Sequence, residues 1–126
     1  MTTLAELRRL PWHDSPVDSI AYDPRRRRLA LHLTLCELPD GGPPGGQSGT
    51  LVFSDVERIE SDPPLPLFAD GPELAGEVLR LDWRDGDPAR AELLLQTVSY
   101  PGRQTTFVRA VITFAGADWL AAPDAG

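Results

Sequence analysis

Arg28-Leu29-Ala30-Leu31-His32-Leu33-Thr34-Leu35-Cys36-Glu37 is the run that decides the fold. Its leucines fall on every second residue, so Leu29, Leu31, Leu33 and Leu35 share one face. Ala30, His32, Thr34 and Cys36 take the other. Leucine has only modest strand propensity, but the period outweighs it. A strand with one apolar face must be covered, so a sheet built on it has to close or fold over.

Working outward, the same signals recur. Upstream, Val17–Tyr22 reads as a strand and Asp23-Pro24-Arg25-Arg26 as the turn that joins it to the leucine run. Downstream, the Pro- and Gly-rich stretch 39–49 reads as a flexible hairpin loop, and Thr50–Phe53 resumes a strand. At Ser54-Asp55 the period of two breaks, which predicts a bulge or bend before Val56–Glu60. Prolines exclude 61–68 from a central strand, and Leu65, Leu67 and Phe68 are expected to cover an open end of the core. Glu77–Arg84 follows as a strand with Leu79, Leu81 and Trp83 inward, then the turn Asp85-Gly86-Asp87-Pro88. Ala89–Tyr100 and Thr105–Phe114 form the last two strands, joined by Pro101-Gly102-Arg103. Beyond them Trp119 packs on the sheet, and 121–126 is a frayed tail. At the other end, residues 2–9 suit a short helix with a threonine cap, Glu6 in the first turn, and Arg8 and Arg9 in the last. Leu4 and Leu7 give it a docking pair, and Pro11 stops it. The expected fold is mainly β. It is an antiparallel meander of about six strands forming a barrel or sandwich, with a short N-terminal helix.

Composition bounds the rest. The 126 residues fit one domain, 1–126, of which 1–10 are helix and lead-in. A chain of this length buries roughly two-thirds of its unfolded surface. Every cation is arginine and the net charge is −7, which argues against nucleic-acid and anionic-membrane binding. It leaves room for a basic protein partner. One cysteine cannot form an internal disulfide, and the N-terminus has no apolar signal core, so the cytoplasm is the expected compartment. No cofactor is implied.

Chemistry-bearing residue types gather in Leu10-Pro11-Trp12-His13-Asp14-Ser15-Pro16. His13-Asp14-Ser15 invites a hydrolase reading, but neighbours on an extended backbone point to opposite faces, so Asp14 is not expected to orient His13. No Gly-x-Ser-x-Gly elbow supplies the remainder of a triad. His13 and His32 with Asp14, Asp18 or Asp23 form an acceptable metal-ligand set, though no spacing fixes them together. The simpler reading anchors Trp12 on the core and lets Asp14 and Ser15 bond local backbone. Asp82–Asp87 lacks the ligand order of a calcium loop and reads as a hairpin turn. The basic run Arg25–Arg28 is expected to be neutralised by Asp18 and Asp23. His32 and Trp83 are candidate interaction residues, and Trp83 with 63–68 could wall a ligand pocket in a barrel mouth.

The Trp12-His13-Asp14-Ser15 motif, the strand end Ile20-Ala21-Tyr22-Asp23, the strand Leu29–Leu35 and Leu51-Val52-Phe53-Ser54-Asp55-Val56 together resemble small bacterial domains. Those domains carry an N-terminal His-Asp-Ser/Ala motif before a β meander, and some are classed as immunity proteins of toxin systems. The resemblance covers roughly residues 10–60 and implies a non-enzymatic binding domain with no catalytic residue. The expected partner is another protein, or a second copy joined through an edge strand. The other expectations are a small hydrolase or metal-dependent enzyme using His13, Asp14 and His32, and a small-ligand-binding barrel.

Overall fold

The computed structural model describes residues 3–35, 46–65, 74–99 and 102–121. Helix α1 spans Leu4–Arg9, and the Thr3 hydroxyl caps it by accepting the Glu6 N–H at 3.2 Å. Six residues are too few to hold a helix alone, so α1 depends on docking. Leu7 is fully buried, and Leu4 packs on the core one turn away.

The strands are β1 (Ser15–Asp23), β2 (Arg28–Leu35), β3 (Gln47–Ser54), β4 (Arg58–Asp62), β5 (Leu74–Arg84), β6 (Ala89–Ser99), β7 (Gln104–Phe114) and β8 (Gly116–Ala121). They form one antiparallel sheet in the order β4-β7-β6-β5-β1-β2-β3-β8. The leucine run behaves as its period requires, with none of Leu29, Leu31, Leu33 and Leu35 more than 1% exposed.

Eight strands replace the expected six because the run through Ser54-Asp55 divides into β3 and β4, and the segment beyond Phe114, expected only to pack Trp119 on the sheet, forms β8. Ser54 pairs with Gly116 and Arg58 with Thr113, so Asp55, Val56 and Glu57 oppose only Phe114 and Ala115. That extra residue is a bulge at the place where the period broke, and Asp55 takes φ 50° to form it. The ladder crosses the bend unbroken through Ala115 N–H to Ser54 O (3.2 Å) and Glu57 N–H to Thr113 O (2.8 Å). The bend also holds the β1–β2 turn, whose Arg27 carbonyl accepts the Val56 N–H at 2.9 Å. At that turn Asp23 and Asp55, rather than Asp18, pair with Arg26 and Arg27.

The sheet is open, not a closed barrel: β4 and β8 stand at its two ends. Nor is it one simple meander. Two three-stranded runs, β1-β2-β3 and β5-β6-β7, meet through only three pairs between β1 and β5. The halves fold over each other. Phe53 of β3 stacks on Trp83 of β5 with centroids 5.6 Å apart, although β1 and β2 lie between those strands. A flat sheet would separate them by about 14 Å. The enclosed core is aromatic: Trp83 also meets Trp12 and Phe114 at 6.0 Å, and Trp12 meets Trp119 edge-on at 5.6 Å. Each such pair adds roughly 0.5–1.5 kcal/mol beyond its buried area.

Several boundaries differ from the sequence reading. Strand β3 begins at Gln47, inside the stretch expected as loop, while 39–45 lie outside the described residues. Ala121 closes β8 rather than opening a tail, and 122–126 lie outside, as do Cys36, Glu37, Leu67, Phe68, Tyr100 and Pro101. Leu65 packs against the core as expected. On β5 the register slips between Val78 and Arg80, so Val78 and Trp83 face the core and Leu79 is the displaced residue.

Candidate functional site

The Trp12–Ser15 turn sits where the chain leaves α1 and enters the short β1–β5 seam. Trp12 is buried, and its indole Nε1 donates to the Leu7 carbonyl at 2.7 Å. That carbonyl, near the helix C-terminus, also accepts the Leu10 N–H at 3.2 Å. The indole therefore closes the helix end while its ring fills the core. Arg8 ties the same helix to β5 by donating to the Trp83 carbonyl at 3.0 Å and pairing with Asp85 at 3.1 Å.

Asp14 corrects the sequence argument. Its φ is 61°, in the left-handed region that Asp tolerates better than most residues. The rule of opposite faces holds for extended backbone only, and here the turn swings both side chains to one side. His13 Nε2 lies 3.1 Å from Asp14 Oδ2. The Asp14 N–H meanwhile bonds the Val78 carbonyl at 2.7 Å, starting the seam.

His13 Nδ1 faces the Leu79 carbonyl, which the β5 bulge has displaced from the ladder. A carbonyl only accepts, so Nδ1 carries the proton. Nε2 then meets a carboxylate, and both contacts are hydrogen bonds when the ring is an imidazolium. Both ring nitrogens thus face acceptors of the protein itself. Ser15 is fully buried, and its hydroxyl donates to the Pro11 carbonyl at 3.3 Å. A nucleophile must reach solvent and a base must have a nitrogen to spare. Ser15 does not reach solvent, and both nitrogens of the exposed His13 are already engaged.

His32 lies elsewhere, on the outer face of β2, with Nδ1 2.7 Å from the Thr50 hydroxyl of β3. Among the described residues no three His, Cys, Asp or Glu side chains gather to hold a metal ion. Trp83, expected at an interaction surface or pocket wall, is instead inside the aromatic core. Its Nε1 is buried and has no hydrogen-bond partner. The groove beside the motif, of about 400 Å³, is lined by Arg8, Leu10, Pro11, His13, Leu79 and Arg80. No helix among the described residues is long and apolar enough to cross a membrane.

The two outer faces of the folded sheet differ sharply, which the sequence pattern alone did not show. On β1-β2-β3-β8 the register sets Ala21, Ala30, Val52 and Asp118 in one row and Ser19, His32, Thr50 and Leu120 in the next. On β4-β7-β6-β5 the rows are heavily charged. No protein family, curated protein or solved structure matches the chain.

Proposed function

We propose that this chain is a protein-binding module whose docking face is the outer side of β1, β2, β3 and β8. One observation carries this reading: in a chain with 25% charged residues, the two central rows of that face hold a single formal charge, Asp118, and although Ser19 and Val52 are buried, Ala21, Ala30, His32, Thr50, Asp118 and Leu120 reach the surface. Depletion of charge at the centre is the compositional mark of protein interfaces. Leu120, at the β8 edge of the patch, is 51% exposed. At its margin Asp23 faces Arg28, so the rim carries both signs, and it is the net charge of −7 over the whole chain that favours a basic partner. The resemblance at residues 10–60 makes a basic bacterial toxin the first partner to test.

The Trp12–Ser15 motif supports this face from beneath by fixing the seam from which β1 runs. Its packed aromatic core also argues against ligand uptake between the half-sheets.

A photo-crosslinking residue at position 50 tests the reading. It should capture a partner other than the chain itself from native cell extract, while the same residue at position 80, on the opposite face, should capture no such partner. Equal capture at both positions, or none at position 50, would refute the assignment.

A further inference from the structure

The outer face of β4, β7, β6 and β5 carries a pattern that only the strand register reveals. Arg58, Thr113, Arg90 and Arg84 lie side by side across the four strands. The next outward-facing row is Glu60, Val111, Glu92 and Asp82. Three guanidinium groups thus stand beside three carboxylates, one pair on each of β4, β6 and β5. Arg58 pairs with Glu60 along its own strand at 3.1 Å, whereas the nearer partners of Glu92 and Asp82 are Arg109 and Arg80 in the row beyond. Among the described residues no carboxylate pairs with Arg84 or Arg90. These two arginines are also directly opposed across β5 and β6, and like charges so placed repel. All three arginines of the row are exposed.

We infer that this face is a self-docking surface and that its occupant is a second copy of this chain. The copy is related by a two-fold axis that lies in the interface and runs along the rows, between the basic and the acidic one. That operation lays Arg58 over Glu60, Arg90 over Glu92 and Arg84 over Asp82 of the other copy, and the reverse, giving six crossed pairs. An isologous interface needs such self-complementarity. The alternative axis, parallel to the strands, lays the arginine row on itself and is excluded by repulsion. Twist of each sheet rotates the outer pairs slightly while leaving the central ones opposed. Four strands by two rows cover roughly 260 Å² per copy, about a third of a standard interface, so association is weak and reversible.

The test exchanges the two rows within one chain: Arg58→Glu, Glu60→Arg, Asp82→Arg, Arg84→Asp, Arg90→Glu and Glu92→Arg. Net charge is unchanged, and every substitution is on the surface, so folding is checked by circular dichroism. The exchanged protein should self-associate like the natural one in sedimentation equilibrium, yet refuse to mix with it, because arginine then faces arginine. Arg84→Ser with Arg90→Ser should weaken self-association at least tenfold. A natural chain that stays monomeric at millimolar concentration would overturn the inference. So would free mixing of the exchanged and natural chains, or a Ser variant that associates undiminished.

Discussion

Trp12 and Trp83 touch in the same core, yet their indole N–H groups have opposite fates, and this makes a sharp paired prediction. Trp12 Nε1 is bonded to the Leu7 carbonyl, whereas Trp83 Nε1 is buried with no acceptor. Replacing either by Phe removes similar ring volume from packed surroundings, which costs roughly 1–2 kcal/mol. Trp12→Phe also loses a hydrogen bond worth about 1 kcal/mol. The carbonyl keeps its bond from Leu10, so it is not left unsatisfied. Trp83→Phe instead removes an unpaired donor, which returns roughly 1–2 kcal/mol of desolvation penalty. Trp83 has three aromatic neighbours against two for Trp12, and that narrows the gap by up to about 1 kcal/mol. Trp12→Phe is therefore expected to cost about 2–3 kcal/mol and Trp83→Phe about 0–2. At about 3–4 °C per kcal/mol, the Tm of Trp12→Phe should lie several degrees below that of Trp83→Phe. Urea titration with an unchanged slope gives the free energies. Hydrogen exchange at the Leu7 and Leu10 amides adds a local readout, because only Trp12→Phe should let the helix end fray. Equal costs, or a larger one for Trp83→Phe, would refute the account of how α1 is held.

Four further outcomes follow from other parts of the fold. Gly49→Ala should lose about 3 kcal/mol in urea unfolding, since a Cβ there would stand 2.6 Å from Trp119 Cζ2 and 2.7 Å from the Leu120 carbonyl oxygen. Asp55→Gly should stay within about 0.5 kcal/mol of the natural chain, because glycine takes a φ of 50° freely and the exposed Arg27–Asp55 contact is worth little. Asp55→Val, a β-branched residue at the same φ, should lose roughly 1–3 kcal/mol. Ser15→Ala should leave partner binding intact and shift stability by about 1 kcal/mol, as measured by thermal unfolding; loss of an assigned activity without loss of fold would show a role beyond structure.

The parts of this molecule that sequence makes legible are those set by local period. Leu29 to Leu35 alternate without a slip, and Thr3 with Glu6 marks the helix start, so β2 and α1 stand where their residues put them. The break at Ser54-Asp55 was equally visible as a lost period. Its consequence was not, because the pairing of β3 with β8 joins residues some seventy positions apart, and nothing local encodes it. The His13–Asp14 contact was hidden for another reason: one positive φ cancels the alternation on which the argument rested. Trp83 read correctly as an inward residue of its strand, but its stacking on Phe53 came only from the folding-over of the sheet, which packs it too closely to wall an open pocket. The charged rows were present as Arg58-Ile59-Glu60, Asp82-Trp83-Arg84 and Arg90-Ala91-Glu92, but only register aligns three such triplets.

The bend at Asp55 has a consequence for the order in which the molecule can be made. A ribosome delivers β1, β2 and β3 long before β8, the only strand that pairs with the far side of β3. Through that interval β3 presents a bare row of backbone donors and acceptors beside Leu51, Val52 and Phe53, a template open to any other nascent strand. The small glycine at position 49 waits throughout for Trp119 to cross it. Completion of the first half of the chain thus depends on nearly its last described residues, and a chain interrupted after β7 would leave the outer edge of β3 uncovered.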